Sequence, residues 1–421
     1  MFTRHRLKAA AVISAAAVAP LARAADPAVT GTPVPQYSFV QLAALDGYHG
    51  QNPLSGVVLD KAGDLFGTAQ QGGTGGYGTV YEVAAGSHAL SAVVNFNYSN
   101  GAYPDGGVTS DSAGDLTGET TQGGANGVGN VFQVSAGSVG SFQSLADFSS
   151  GANPNSPTAT LTPQSNGSGN LWGVGNNQLF KFSATASSTV FSQASFSGSP
   201  SPYGSVVFDK YGDLFGTTQL GGTNGGGYLY RFNTNSGQLM TLYNFPASAA
   251  HDQAAVTLDS AGNLYVPAGA SILELSSAQS RATSTLSSVS TLYTFTGGAD
   301  GAGPNGSLIL DSAGDIFGTT SGGGILPNGQ AGAGTVFELT AGTSRTLDTL
   351  YTFDGSLNGS TPTAGLAIDA AGDLFGTTSG GGSNFDGTVF ELSPAPVPEP
   401  ATLSAAVLAT TALAVRRRRR D

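Results

Sequence analysis

Between Phe39 and Leu392 the chain is written in short apolar runs of about four or five residues, separated by clusters of Gly, Asn, Asp and Ser. Runs of that length, bounded by turn formers, predict strands rather than helices. The first four runs cover 56–59, 65–68, 79–83 and 92–96, designated A to D in chain order, and the quartet then recurs along the chain. Each A–B junction carries a motif of the form Asp-x-x-Gly-Asp/Asn-Leu-aromatic-Gly. It begins at Asp60, Asp111, Asp209, Asp259, Asp311 and Asp369, with a worn copy from Asn166 to Trp172. The spacing is about 50 residues, the length of one small antiparallel sheet, and points to a propeller or solenoid.

Asp at the first position of such a junction can bond its own backbone, and Gly at the fourth adopts positive φ cheaply, so the motif reads as a tight hairpin connection. The alternative is a calcium loop, since Asp60 and Asp64, or Asp369 and Asp373, supply paired carboxylates. An EF-type loop requires more oxygen positions and a closing Glu, which none of the copies has. The C run is the most regular element, as in Val80-Tyr81-Glu82-Val83, Val131-Phe132-Gln133-Val134 and Val336-Phe337-Glu338-Leu339. Its apolar residues alternate onto both faces, as expected of a sheet packed between two neighbours. Its third slot also holds Lys181 and Arg231, which excludes a ring of catalytic or metal-binding carboxylates there and predicts a partly solvated position.

The seventh C run, Val389 to Leu392, is followed not by a D run but by Ser393-Pro394-Ala395-Pro396. An extra run, Phe39 to Leu45, precedes the first A run. It ends Leu45-Asp46-Gly47, matching Phe353-Asp354-Gly355 after a D run. The N-terminal strand therefore completes the last sheet, and closure removes the exposed edges that an open array would carry. The expected fold over residues 36–393 is all-β, a seven-bladed β-propeller of four-stranded antiparallel blades. The repeats resemble the GloVer tandem repeat of bacterial surface proteins: Asp-x-x-Gly-Asp-Leu-Phe-Gly-Thr-Thr, a Gly-Gly loop, then Gly-Thr-Val-Phe-Glu-Leu. The copies at 311 and 369 fit best, and those at 166 and 259 lack the Gly-Gly loop. The resemblance implies a surface propeller without an assigned reaction.

The two ends read differently. Arg4, Arg6 and Lys8 precede the apolar stretch Ala9 to Ala19, and Ala22-Arg23-Ala24 fits a small-x-small cleavage site. Residues 1–24 are thus expected to be a signal peptide, with a linker over 25–35. At the other end a Pro-rich linker, 394–400, contains Pro398-Glu399-Pro400. An uncharged stretch over 401–415 and an Arg-rich tail over 416–421 follow. Fifteen helical residues span about 22 Å against about 30 Å of hydrocarbon, so a short transmembrane helix would have to draw in its flanks. Arg beyond it marks a cytoplasmic end. This order resembles a PEP-CTERM sorting signal. The resemblance implies a Gram-negative bacterium that makes extracellular polysaccharide, with an exosortase as the processing partner recognising Pro398, Glu399 and Pro400. The chain would be the enzyme's substrate, held in the membrane by its C-terminal helix before processing and destined for the cell surface or matrix.

Between the two ends only Lys61, Lys181, Lys210, Arg231, Arg281 and Arg345 are basic, against all but one of the 27 acidic residues. A net charge of about −20 repels phosphate backbones and makes nucleic acid an improbable partner. The chain has no cysteine, which excludes thiol catalysis and Cys-bound metals. No cofactor motif is present: the Gly-rich B–C loops lack the Gly-Lys-Ser/Thr of a phosphate cradle and read as flexible hairpin loops.

In an up-and-down blade the B–C and D–A loops emerge on one face. The D–A loops carry Tyr48 and His49, Tyr103 and Asp105, Tyr203, His251 and Asp252, Asp300 and Asn305, and Asp354 and Asn358. Rings that stack on sugars and amides that bond hydroxyls suit an extracellular polysaccharide. The favoured reading is a non-enzymatic protein of adhesion, scaffolding or polysaccharide association. The alternative is a glycoside hydrolase or lyase using D–A carboxylates, which must then stand as a close pair. No catalytic constellation and no metal site emerges from the residues themselves.

Overall fold

A computed structural model describes residues 37–135, 141–149, 157–164, 166, 168–183, 189–198, 201–249, 255–342 and 345–395. Among these residues the strands form seven four-stranded antiparallel sheets, which are the seven blades of a propeller. Six blades are built from consecutive strands. The first comprises Val58–Leu59, Leu65–Ala69, Thr79–Val83 and Leu90–Asn95. The seventh combines Ala367–Ile368, Leu374–Thr378 and Thr388–Pro394 with the N-terminal strand Tyr37–Ala44.

The closing strand is a true D strand. It pairs antiparallel from Tyr37↔Pro394 to Ala44↔Thr388, with a register shift between the partners of Val389 and Phe390. The same shift falls between the first and second residues of the C run in other blades, for example Val80/Tyr81 and Val336/Phe337. A bulge at a fixed place adds local twist, so every blade coils alike. Further bonds seal the ring, from the amide of Leu45 to the carbonyl of Gly387 (2.9 Å) and from the Thr377 hydroxyl to the carbonyl of Ser55 (2.9 Å).

The core lies between the blades. Among the described residues seven apolar clusters occur, each shared by two consecutive blades, and the seventh joins blade 7 to blade 1 through Leu42, Leu45, Val57, Tyr81 and Val389. This explains why both faces of the C strand are apolar while its third residue, including Lys181 and Arg231, stays half-buried. A Gly at the third position of strand B lies opposite the C-strand ring in six blades, as in Gly318↔Phe337 and Gly376↔Phe390. A Cβ at Gly318 would stand 2.6 Å from that ring and 2.8 Å from Leu308, so the ring occupies the space a side chain would need.

The Asp-x-x-Gly junctions are tight turns, as expected. Asp60 Oδ1 accepts the amides of Ala62 (2.8 Å) and Asp64 (2.9 Å), and Gly63 takes φ +89°. That oxygen is committed to the backbone, which disfavours a calcium loop. Two blades have connections of their own. Blade 3, lacking the Gly-Gly loop, turns on Asn176 and Asn177 at φ +43° and +61°, the left-handed pair of a two-residue hairpin. Blade 5 carries a one-turn helix, Ser277–Ser280, between its C and D strands, started by a capping box between Ser276 and Gln279.

Among the described residues no helix is long and apolar enough to cross a membrane. The cleavage residues Ala22 and Ala24, the motif Pro398-Glu399-Pro400 and the stretch 401–415 lie outside the described residues, as do His251 and Asp252.

Candidate functional site

The B–C and D–A loops share one face, and backbone bonds tie them together. Gln51 and Gln71 exchange amide–carbonyl bonds, as do Ala102 and Gln122, Ala302 and Gly322, and Ser360 and Gly380. The Gly-rich B–C loops are therefore hydrogen-bonded into the face rather than loose hairpins, correcting that expectation.

The D–A residues singled out from sequence do not converge on one mouth. They separate into three settings. Asp105, Tyr203 and Asn305 line a well on the propeller axis, to which every blade contributes: Ser55, Asp105, Thr158, Tyr203, Ala255, Asn305 and Thr363. Its volume is about 100 Å³. Burial raises the Asp105 carboxyl above the usual range, against the opposing bond from Gln70 Nε2 (2.8 Å). Burial likewise pushes the Tyr203 hydroxyl up, with the Asp105 charge adding to it.

Asp354 and Asn358 belong to a second, shallower depression with Leu326, Pro327, Asn328 and Tyr351. Burial, then the neighbouring Asp354 charge, pushes the Tyr351 hydroxyl up to about 12. Asp354 Oδ1 itself accepts the amide of Ser356 (2.8 Å) and shapes the loop. Asp300 is wholly structural: it accepts bonds from Thr296 Oγ1 (2.6 Å), the Thr296 amide (2.7 Å) and Tyr293 Oη (3.0 Å). Burial would raise its carboxyl, but these bonds outweigh it and hold the group below the usual range. Asp105, Asp300 and Asp354 therefore form no carboxylate pair of the kind glycoside hydrolysis requires.

The third setting is the rim. Tyr48 is 62% exposed, and the neighbouring His49 is held by Asp46, whose Oδ1 lies 2.9 Å from Nδ1 and also accepts the His49 amide. Tyr103 joins Tyr77 and Tyr98 in an edge-to-face group, with centroids 5.8 Å and 5.5 Å from Tyr77. Sequence reading missed two rim residues, Tyr98 and Phe385. Tyr98 has φ +71° at a slot where Gly47, Gly297 and Gly355 have φ between +71° and +81°. Phe385 has φ +64° where Gly76, Gly127 and Gly225 have +77°. Aligning the loops of the repeats would have exposed both, because an aromatic stands where the other copies have Gly. Left-handed backbone costs a non-Gly residue about 1–2 kcal/mol. Phe385 is nonetheless 72% exposed and recovers little of that by packing. Tyr103, at φ +56°, is a different matter: it precedes Pro104, and Asn52, Gly303 and Thr361 take the same conformation before Pro53, Pro304 and Pro362, so this strain belongs to the fold.

Together Ile325, Leu357, Phe385, Tyr48 and Tyr98 form an exposed apolar arc on the loops of blades 6, 7, 1 and 2. Bonds join the loops that carry Leu357, Phe385 and Tyr48: the Gly382 amide bonds the Ser356 carbonyl, and Gln51 Nε2 donates to Asp386 Oδ1 (2.8 Å).

The fold and its repeated loops define a repeat propeller. The chain belongs to the Gloeobacter/Verrucomicrobia repeat family, which matches residues 29–179 and 278–408. A search of curated proteins finds no match. Among solved structures, it is similar to a catalytically inactive virginiamycin B lyase from Staphylococcus aureus with quinupristin. The identity is 11% and the TM-score 0.56, covering 85% of this chain and 99% of that one. It is also similar to the extracellular domain of BT4673 from B. thetaiotaomicron, at 13% identity and TM-score 0.54. That match covers 84% of this chain, which spans only 39% of the other. At these identities the likeness is one of fold.

Proposed function

We propose that this protein is a non-enzymatic, exported cell-surface or matrix propeller that binds a neutral extracellular polysaccharide along its aromatic arc. The observation that carries the reading is Phe385, 72% exposed in a left-handed slot that other repeats give to Gly, with Tyr98 in a similar slot beside Tyr77. Strain without compensating packing marks a residue kept for something other than stability. Flat rings on an open rim suit the apolar faces of sugar rings, and the loop amides and hydroxyls suit their edges. The acidic surface favours an uncharged polymer over an anionic one.

The basic, apolar and Ala-x-Ala segments at the N-terminus support export, and the Pro-Glu-Pro tail supports sorting and processing by an exosortase. The axial well is too small for a sugar ring, since organic ligands occupy pockets of about 300 Å³ or more. This argues against the hydrolase or lyase reading for Asp105 in particular.

The test is affinity electrophoresis of the chain and of Tyr98→Gly/Phe385→Gly in gels containing neutral β-glucan. Retardation of the parent, lost in a variant that unfolds no earlier, is the expected result. Release of reducing sugar abolished by Asp105→Asn or Asp354→Asn would replace this reading with the hydrolytic one.

A further inference from the structure

The connection between the C and D strands of blade 5 runs over 276–289, against 234–237 in blade 4. Its far half reaches back to the neighbouring blade. The Leu286 amide donates to the Leu242 carbonyl (2.7 Å) and Thr285 Oγ1 to that of Thr241 (3.0 Å), so the segment lies along the outer strand of blade 4. Leu286 and Val289 pack on the apolar cluster that blades 4 and 5 share. Its near half, Ser277 to Arg281, walls a groove of about 470 Å³ against the A–B turns of the two blades. The groove is on the face opposite the aromatic arc, because A–B turns and C–D connections lie at the other end of the strands from the B–C and D–A loops. Its volume is within the range that small organic ligands occupy.

The groove departs from the repeat in its residues as well. The third residue of the Asp-x-x-Gly turn is Ala in blades 1, 2, 5, 6 and 7, but Tyr211 in blade 4, where it is 59% exposed. The Arg281 guanidinium stands 4.4 Å from the centroid of this ring and Lys210 Nζ 5.4 Å from it. With Arg231, three of the six basic residues between the two ends of the chain meet at blade 4, in a protein that is otherwise strongly acidic.

The carboxylates at the groove are already engaged. Asp209 Oδ1 accepts the amides of Tyr211 (2.8 Å) and Asp213 (2.9 Å). Arg281 Nη1 donates to Oδ2 of both Asp209 (3.1 Å) and Asp213 (2.9 Å), and Arg231 Nε lies 3.8 Å from the latter oxygen. The two buried carboxylates are thus neutralised by two guanidiniums. Asp259 has no basic partner, but its oxygens accept the Asn263 amide (2.8 Å), Asn263 Nδ2 (2.7 Å) and Tyr265 Oη (3.1 Å). In contrast, Arg281 Nε and Nη2 and Lys210 Nζ meet no acceptor among the described residues. The groove therefore holds charged donors in excess, and its ligand should bring acceptors.

We propose that this groove binds a sugar acid. The sugar ring lies against Tyr211, and Lys210 and the free guanidinium nitrogens of Arg281 receive the carboxylate. Ser260 and Ser277 also line the groove, and their hydroxyls suit ring hydroxyls, which favours a sugar over a flat aromatic acid. Neutralising Asp209 and Asp213 lifts locally the repulsion that the acidic surface imposes on anions. The site is independent of the aromatic arc and does not rest on the reading given to it.

The experiment is a saturation-transfer NMR titration of the full chain with glucuronate, glucose, acetate and benzoate at neutral pH. Glucuronate should saturate the protein and weaken with added NaCl, and the other three should bind at least about tenfold more weakly. Lys210→Ser and Tyr211→Ala install residues that other repeats carry at these exposed places, so both should unfold at the temperature of the parent. The first should cost about tenfold in affinity and the second about fivefold. Tyr98→Gly/Phe385→Gly should bind glucuronate as the parent does. Absence of glucuronate binding, equal affinity for acetate, tighter binding of benzoate, or unchanged affinity in Lys210→Ser overturns the proposal. Loss of glucuronate binding in the arc variant overturns it as well, by placing the ligand on the other face.

Discussion

Blade 5 and blade 2 both depart from the repeat in strand B, in opposite ways. Blade 5 has Val266 where six blades have Gly, and its register partner is Leu273 where those six have Phe or Tyr. Both residues are buried, so a larger side chain on one strand is matched by a smaller one on the next. Blade 2 has Glu119 in place of Thr, and among the described residues none bonds its second oxygen. Phe385 resembles blade 2 in this respect, since it is 72% exposed and carries strain that its surroundings do not relieve, whereas Tyr98 recovers part of its cost against Tyr77. A compensated departure is packing drift, because the pair conserves volume. An uncompensated one signals a demand from outside the chain's own packing.

The comparison can be tested by exchanging its parts. Gly318→Val alone should destabilise by about 3 kcal/mol, because the new side chain enters the space of the Phe337 ring. Phe337→Leu alone should cost about 1–2 kcal/mol, and the double variant should recover most of the loss caused by Val, read as urea midpoints. Strict additivity would show that blade 5 is not a compensated pair.

Glu119 gives the next largest effect. Burial, with the Asp105 charge adding to it and the Ala159 amide opposing, raises its folded-state pKa well above the ordinary value. The groups that act on it are Asp105 and that amide. Between the ordinary and the raised value, the folded state then holds a proton that the unfolded chain has released. Stability should be fully present below the ordinary Glu range and should fall as pH rises toward the folded value. Glu119→Thr should flatten this profile and gain about 1–3 kcal/mol at neutral pH. A flat profile in the parent would remove Glu119 from the uncompensated class.

Thr377→Val should cost about 1 kcal/mol by removing the hydroxyl that joins blade 7 to Ser55. The smallest effect is expected at the rim. Tyr98→Gly and Phe385→Gly should each stabilise by about 0.5 kcal/mol, as relief of left-handed strain exceeds the added chain entropy of Gly. Loss of stability at either position would mean that packing, not ligand, retains the aromatic.

Much of the architecture is legible in the sequence because it is local. An Asp that bonds amides two and four residues ahead, followed by a Gly at positive φ, makes the same turn wherever it occurs. The closing strand is legible because Leu45-Asp46-Gly47 repeats the end of a D strand. The site is less legible because its members are sorted by distance from the axis, which one loop alone does not encode. Asp300 resembles Asp105 in sequence but is consumed by Thr296 and Tyr293. Glu119 sits in a strand whose residues are all buried, where apolar alternation carries no signal. Only comparison of equivalent repeat positions distinguishes it.

The pairing of Tyr37 with Pro394 places the exit of the tail at the far end of the last C strand, on the side of the C–D connections. The aromatic arc lies at the other end of the strands, on the B–C and D–A loops. A tether running from Pro394 would therefore grip the disc from beneath. If the proposed surface attachment and polymer binding both hold, such a mounting would leave Tyr48, Tyr98 and Phe385 on the side away from the attachment, where successive units of a polymer could be met without steric hindrance.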